Sequence, residues 1–245
     1  MERLDKIIAS QGTLSRRDAH KLIKSKSVKV DGSVVVKVDF KVDPEKSVIE
    51  VNGQALDFKE HIYIMMNKPA GVLSATKDNS QKTVLDLLPD NLRRKGLFPV
   101  GRLDKDTEGL LIISDDGEFA HKLLSPGNHV YKRYFAKLDK ELGEEMVLNF
   151  KNGIEFKDGT KCLPAKLELL GGSRCLVTVM EGKYHQVKRM FAARGKHVTA
   201  LHREQIGALR LDSALQPGQY RELIPEELEL VFSETGNREN DGESG

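Results

Sequence analysis

Gly101-Arg102-Leu103-Asp104-Lys105-Asp106-Thr107-Glu108-Gly109 runs without a break into Leu110-Leu111-Ile112-Ile113-Ser114-Asp115. Two glycines bracket a loop dense in charge, and the apolar run behind it has the length and branching of a buried strand. A loop fixed by a rigid strand is where binding and reacting groups tend to sit. Two ordinary explanations compete. In an EF-hand-like calcium loop Asp104, Asp106 and Glu108 would take the first, third and fifth positions, with Gly109 at the sixth and Asp115 at the twelfth. The twelfth position should instead be a bidentate Glu and the fifth an Asp or Asn. Such a loop should also join two helices rather than enter Leu-Leu-Ile-Ile. The other explanation is a plain polar turn, the usual fate of an Asp-rich loop.

Outward from this stretch, short strand patterns alternate with shorter helical ones. Ile62 to Met66, Val130 to Leu138, Lys166 to Leu170, Leu176 to Met180 and His197 to Leu201 are predicted strands, punctuated by Asp158-Gly159 and Gly171-Gly172. Thr83 caps a predicted helix through Val84, Leu87 and Leu88. A second helix runs through Phe119, Leu123 and Leu124, and a third carries Val187, Met190 and Phe191 and stops at Gly195. The first sixty residues differ. Leu4, Ile7 and Ile8 stripe one face of a helix that Gly12 can end. Ser15, three residues before Asp18, starts another through Ala19, Leu22 and Ile23, with Arg16, Arg17, Lys21, Lys24 and Lys26 around the rest. Val28-Lys29-Val30 and Val34-Val35-Val36 flank Asp31-Gly32 as a hairpin, and Asn52-Gly53 marks a second. The expected organisation is therefore a small αα–hairpin domain over 1–59 and an α+β domain over 60–232 with a mixed, mostly antiparallel sheet. Residues 233–245 hold no apolar side chain and are expected to be a disordered acidic tail.

Length and composition narrow the function classes. A chain of 245 residues can bury a core in one or two domains. Cys162 and Cys175 form no CxxC pair, which argues against disulfide scaffolds, zinc and iron–sulfur sites. No apolar run approaches the roughly 20 residues needed to span a bilayer, and no signal core follows Met1, so a cytoplasmic protein without membrane contact is expected. The net charge is only +2, but its distribution is uneven. Residues 3–29 carry eight basic side chains against two acidic, residues 181–203 six against one, and residues 222–245 one against eight. Two distant basic segments suit a polyanion, whereas either alone would pass as a solvated helix face.

Gly-Arg-Leu-Asp-x-x-Thr-x-Gly-Leu-Leu-Ile-Ile-Ser-Asp resembles, position by position, the signature of the RsuA-type pseudouridine synthases, bacterial enzymes that isomerise chosen uridines in ribosomal RNA. Asn67-Lys68-Pro69-Ala70-Gly71 looks like the family's early Lys-Pro-x-Gly segment, and Lys132-Arg133-Tyr134 looks like its Lys-x-Tyr motif. Glu181 to Phe191 is similar to its third motif, and the N-terminal unit resembles an RNA-binding domain shared with a small-subunit ribosomal protein. The resemblance covers nearly the whole chain apart from the tail. Tyr184 to Ala193 and Leu201-His202-Arg203-Glu204 look closest to the branch acting on uridine-516 of small-subunit (16S) rRNA. Sister enzymes for 23S rRNA share every one of these motifs. A non-catalytic RNA-binding assembly factor would also fit the two basic segments, but it would have no need to keep Asp104, Tyr134 and Lys188 together.

The resemblance implies a redox-neutral isomerisation in which the glycosidic bond breaks, the uracil turns and C5 rejoins the ribose. No metal or cofactor is expected. Asp104 is the implied catalytic carboxylate, acting at C1′, at the uracil ring or as a base at the sugar. A nucleophile must be ionised, and a cation beside it favours that form; Lys188, at the family's basic position, is the candidate ion-pair partner. Tyr134 is implied to stack on the uracil, although a strand tyrosine also suits sheet packing. Arg102 is implied to hold the gap left when the base leaves its stack, or it pairs with Asp106 or Glu108 across the loop. Asn67 and Lys68 either support the loop or touch RNA. Arg16, Arg17, Lys21 and Lys24 are assigned to phosphate contacts and Arg189 is grouped with them. His185, His197 and His202 are expected to be phosphate contacts or satisfied hydrogen-bonders rather than metal ligands or bases. The implied partner is rRNA within a small-subunit assembly intermediate, met by a monomer.

Overall fold

The computed structural model describes residues 1–12 and 14–233, so the acidic tail beyond Ser233 lies outside the described residues. The chain divides into two units, Met1–Ile62 with Leu85–Leu97, and Tyr63–Val84 with everything from Phe98 onward. The expected line at residue 60 assigned 85–97 to the second domain; in the structure that segment belongs to the first unit, where Arg94 donates to the carbonyls of Lys59 (3.0 Å) and Glu60 (3.1 Å). The helix expected after Thr83 is reduced to 3-10 turns at Val84–Leu87 and Asp90–Leu92. Pro89 disfavours helical backbone at Leu88 and cannot donate to a continuing helix. Among the described residues no helix is long and apolar enough to cross a membrane.

The first unit begins with β1 (Glu2–Arg3), α1 (Leu4–Ser10) and α2 (Arg16–Lys24), followed by β2 (Val28–Val30), β3 (Ser33–Val34), β4 (Lys41–Val42), β5 (Ile49–Val51) and β6 (Gln54–Ala55). Strands β3-β2-β5-β6 make one antiparallel sheet and β1 pairs with β4. Ser15 Oγ accepts the Asp18 N–H at 3.2 Å and so starts α2. Leu4, Ile7, Ile8, Ala19, Ile23, Val28 and Ile49 share one core, which leaves Arg17, Lys21 and Lys24 on the outer face of α2. Asp5 is fully buried and binds the two helices together. Its carboxylate lies 3.0 Å from Arg3 Nε, 2.8 Å from Arg16 Nε and 2.6 Å from His20 Nε2. Burial alone would raise its pKa, but the hydrogen bonds from Arg3, Arg16 and His20 outweigh burial and hold the carboxyl well below the usual range.

The second unit contains β7 (Tyr63–Lys68), β8 (Phe98–Val100), β9 (Glu108–Ser114), α3 (Gly117–Leu124), β10 (Lys132–Leu138), α4 (Glu144–Lys151), β11 (Lys166–Leu169), β12 (Arg174–Val179), α5 (Gln186–Ala192), β13 (Val198–Ile206), β14 (Leu209–Arg210), β15 (Tyr220–Glu222) and α6 (Pro225–Phe232). One sheet runs β11-β12-β10-β13-β9-β7-β15, with β8 on β9 and β14 on β13. It is mixed and mostly antiparallel, as expected for the α+β class. Met146, Phe150, Val187, Met190 and Phe191 of α4 and α5 pack on Ala136, Val177 and Leu201, while Phe119, Leu123 and Val231 of α3 and α6 pack on Met65, Leu110 and Ile112.

These two halves of the sheet meet at the parallel pairing of β9 with β13, His202 opposite Glu108 and Arg203 opposite Gly109. Gly109 has φ +102°, and a Cβ there would lie 2.3 Å from the Arg203 carbonyl oxygen and 2.7 Å from its nitrogen. Only glycine allows both the backbone conformation and the approach. Gly109→Ala is expected to lower stability by at least about 3 kcal/mol in urea unfolding. For the first unit, Asp5→Asn should cost about 1–3 kcal/mol at neutral pH, since its partners are partly exposed and screened. Because the Asp5 pKa is depressed in the folded state, its contribution is present above the unfolded carboxylate value of about 3.9 and is lost as pH falls below it. Unfolding measured from pH 6 down to 2 should show that loss in the wild type and a shallower slope in Asp5→Asn.

Candidate active site

Asp104 sits in the loop between β8 and β9, and backbone contacts hold that loop from several sides. Leu103 N–H donates to Ser74 Oγ (3.1 Å), whose hydroxyl donates back to the Leu103 carbonyl (2.9 Å). Thr107 N–H closes a turn on the Asp104 carbonyl (3.1 Å), and Gly71 N–H donates to the Lys105 carbonyl (2.7 Å). Beneath them Lys68, fully buried at the end of β7, donates to the carbonyls of Pro69 (3.0 Å), Lys105 (3.2 Å) and Thr107 (2.9 Å). Of its two expected roles, loop support is the one its position allows, because no part of it reaches solvent. Burial pushes its pKa down to about 8, opposed by the charges of Asp106, Glu108 and Asp104.

Side chains from α5, β10 and β13 share this cleft with Asp104. Lys188 of α5 places Nζ 3.0 Å from Asp104 Oδ2 and 2.5 Å from Asp106 Oδ1. Burial works against its charge, yet the hydrogen bonds to Asp106 and Asp104 raise its pKa; the same contact, first among the causes, lowers that of Asp106. Tyr134 of β10 lines the same cleft together with Arg102, Lys183 and Leu201. Its hydroxyl lies 3.5 Å from Nη1 of Arg203, which donates through Nε to the Leu110 carbonyl (2.8 Å). Arg102 is exposed and, among the described residues, makes no ion pair with Asp106 or Glu108.

Of the two roles expected for His185, phosphate contact or satisfied hydrogen-bonder, its position fits the second: Nε2 lies 3.4 Å from Asp104 Oδ1, on the other carboxylate oxygen from Lys188. It caps α5 three residues before Lys188, in the left-handed conformation at φ +48°, which helical spacing does not reveal. The segment before α5 is built for this placement. Glu181 pairs with Lys183 and accepts from Gln186 Nε2 (3.0 Å), while Lys183 N–H donates to Gln186 Oε1 (2.9 Å).

Other expected RNA contacts have protein partners. Arg189 lies over the Phe156 ring (3.9 Å) and pairs with Asp158 (2.5 Å), and Arg16 is engaged by Asp5. Asn67 is buried, with Nδ2 on the Leu215 carbonyl (2.8 Å). Each of these three and Lys68 has found a carboxylate, a ring or a carbonyl that sequence spacing could not reveal, although Arg16 keeps an exposed side chain. Arg17 and Lys24 remain exposed on α2, and Lys21 is exposed beside Asp18 (3.2 Å). Among the described residues no three His, Cys, Asp or Glu side chains are grouped to hold a metal ion. The arrangement offers one carboxylate between an ammonium and an imidazole, in a cleft that it shares with an aromatic ring.

Comparison with known proteins agrees along nearly the whole chain. The sequence model of the family described as RNA pseudouridylate synthase matches residues 62–193, and that of the S4 domain matches residues 2–48. The chain is 45% identical over 233 residues to an uncharacterized RNA pseudouridine synthase of Bacillus subtilis, covering 94% of this chain and 98% of that one. It is 41% identical over 232 residues to the ribosomal small subunit pseudouridine synthase A of Escherichia coli K12, covering 94% and 99%. A crystal structure of a pseudouridylate synthase superposes with a TM-score of 0.67 at 36% identity, covering 94% of this chain and all of that one.

Lys68→Met strips three buried carbonyls of their donor and is expected to cost about 2 kcal/mol. Hydrogen–deuterium exchange at Thr107 and Gly71 should quicken with it; unchanged exchange would mean that the loop does not depend on the ammonium.

Proposed function

The chain belongs to the RNA pseudouridylate synthase family, an isomerase acting on RNA, and on that premise we propose that it converts uridine-516 of small-subunit (16S) ribosomal RNA to pseudouridine with Asp104 as the reacting carboxylate. The observation that carries the residue assignment is that Asp104 and Tyr134 line one cleft while Lys188 pairs with Asp104. The small-subunit target is supported by the likeness to the ribosomal small subunit pseudouridine synthase A of Escherichia coli.

In this proposal the uridine leaves its stack, at a cost of a few kcal/mol, and its ring lies against Tyr134. Arg102, exposed at the cleft, fills the gap with a planar guanidinium that can both stack and hydrogen-bond. Lys188 keeps the Asp104 carboxylate charged and oriented while the glycosidic bond is exchanged. Asp104 acts at C1′, at the uracil or as a base at the sugar, three routes the same geometry serves. Arg17, Lys21 and Lys24 of α2 take rRNA phosphates, which position the enzyme without specifying sequence. We assign the substrate to a small-subunit assembly intermediate in the cytoplasm, bound by a monomer.

Pseudouridine mapping by carbodiimide treatment and primer extension across both rRNAs tests this in cells lacking the gene. A single small-subunit stop should vanish with the gene, return with wild type and stay absent with Asp104→Ala. Lys188→Met should lower the single-turnover rate by roughly 100- to 1000-fold. A lost stop in 23S rRNA would keep the chemistry and replace the target; a stop restored by Asp104→Ala would remove the carboxylate assignment.

A further inference from the structure

Tyr184 is 71% exposed, more than any other aromatic side chain among the described residues. Its ring is nevertheless held in place, lying flat on His185 with centroids 3.8 Å apart and planes 21° apart. The inner ring of this pair is the imidazole that reaches Asp104 Oδ1 at 3.4 Å, and the outer ring has one face open to solvent. Two features pre-organise the pair. His185 occupies the left-handed region at φ +48°, an uncommon conformation for a non-glycine residue, which here sets the turn into α5. The Glu181, Lys183 and Gln186 contacts fasten the segment on both sides of it. Packing within the protein does not explain the outer face, since a tyrosine held for its own apolar area would be turned inward.

We propose that the outer face of Tyr184 is a stacking subsite for an unpaired RNA base next to the target uridine. Single-stranded and unstacked bases bind proteins chiefly by stacking on aromatic rings, and every base offers such a face. A base there would be separated from the imidazole by one ring, so it stands one nucleotide from the residue that faces Asp104. Arg102, exposed in the same cleft, supplies positive charge that draws the intervening phosphate. The stack also meets a need of base flipping, because the neighbour of an extruded uridine loses a stacking partner and Tyr184 replaces it. The subsite rests on the reading of Asp104 as the carboxylate that meets the uridine.

The test uses the full chain and a small-subunit rRNA fragment spanning the proposed target, with 2-aminopurine in place of the nucleotide on either side of the uridine. Binding of the wild type should quench one of the two probes. Tyr184→Leu, apolar but without a ring, should lose that quench and bind roughly 5- to 100-fold more weakly, and Tyr184→Phe should restore most of both. Quench and affinity unchanged in Tyr184→Leu, or quench of neither probe by the wild type, overturns the subsite. Carbodiimide mapping of the same fragment without the analogue reports separately on the target. A uridine left unconverted by wild type removes the target reading, while the comparison of the variants still decides the stack.

Discussion

The two halves of the sheet that carry the site are joined by one close approach, that of Gly109 to the backbone of Arg203. A Cβ on Gly109 would lie 2.3 Å from the Arg203 carbonyl oxygen, so the two strands can pair in parallel only because that atom is missing. The consequence is geometric. Tyr134 pairs with Arg203 on one side and Gly109 pairs with it on the other, so three neighbouring strands align Tyr134, Arg203 and Gly109 in one row across the sheet. The Asp104 loop ends at this row, and the carboxylate and the tyrosine therefore face one cleft.

Two lysines then divide the electrostatic work. Lys68 is buried under the loop and gives all its donors to backbone carbonyls, so it fixes where the chain runs. Lys188 faces the carboxylates from above and fixes where their charge points. Their shifts have opposite signs for a physical reason: desolvation dominates at Lys68, whereas direct carboxylate contacts overcome it at Lys188. Arg203 joins Lys68 as a second buried cation near the site, 6.0 Å from the Tyr134 ring and hydrogen-bonded to a β9 carbonyl. At the site Asp104 thus shares Lys188 with Asp106 and lies among several cations, an arrangement suited to a reaction that brings a polyanion to it.

Local patterns in the chain were legible where a short-range rule applied. Ser15 starts α2, Asn52-Gly53 turns between β5 and β6, and Leu110 to Ile113 is buried strand. Elements whose stripes are short or interrupted were not: α4 carries Leu148 62% exposed beside Met146 and Phe150, and α6 lies in an acidic run. The helix after Thr83 was expected from its cap and its leucines, but Pro89 allows only 3-10 turns.

By itself the sequence determined the family, the α+β class and the identity of Asp104, Tyr134 and Lys188 as the residues to watch, because motif spacing and local hydrogen-bonding rules act over a few residues. Only the tertiary structure decided which charges are free. Lys68 and Arg189 look like free surface cations in the chain, yet three loop carbonyls claim the one and Phe156 and Asp158 the other, while Arg16 keeps an exposed side chain beside its pairing with Asp5. It also brought His185 onto Asp104, across a separation of 81 residues along the chain. Such contacts depend on how the strands are ordered and where their backbones come close, and no short window of residues contains that information.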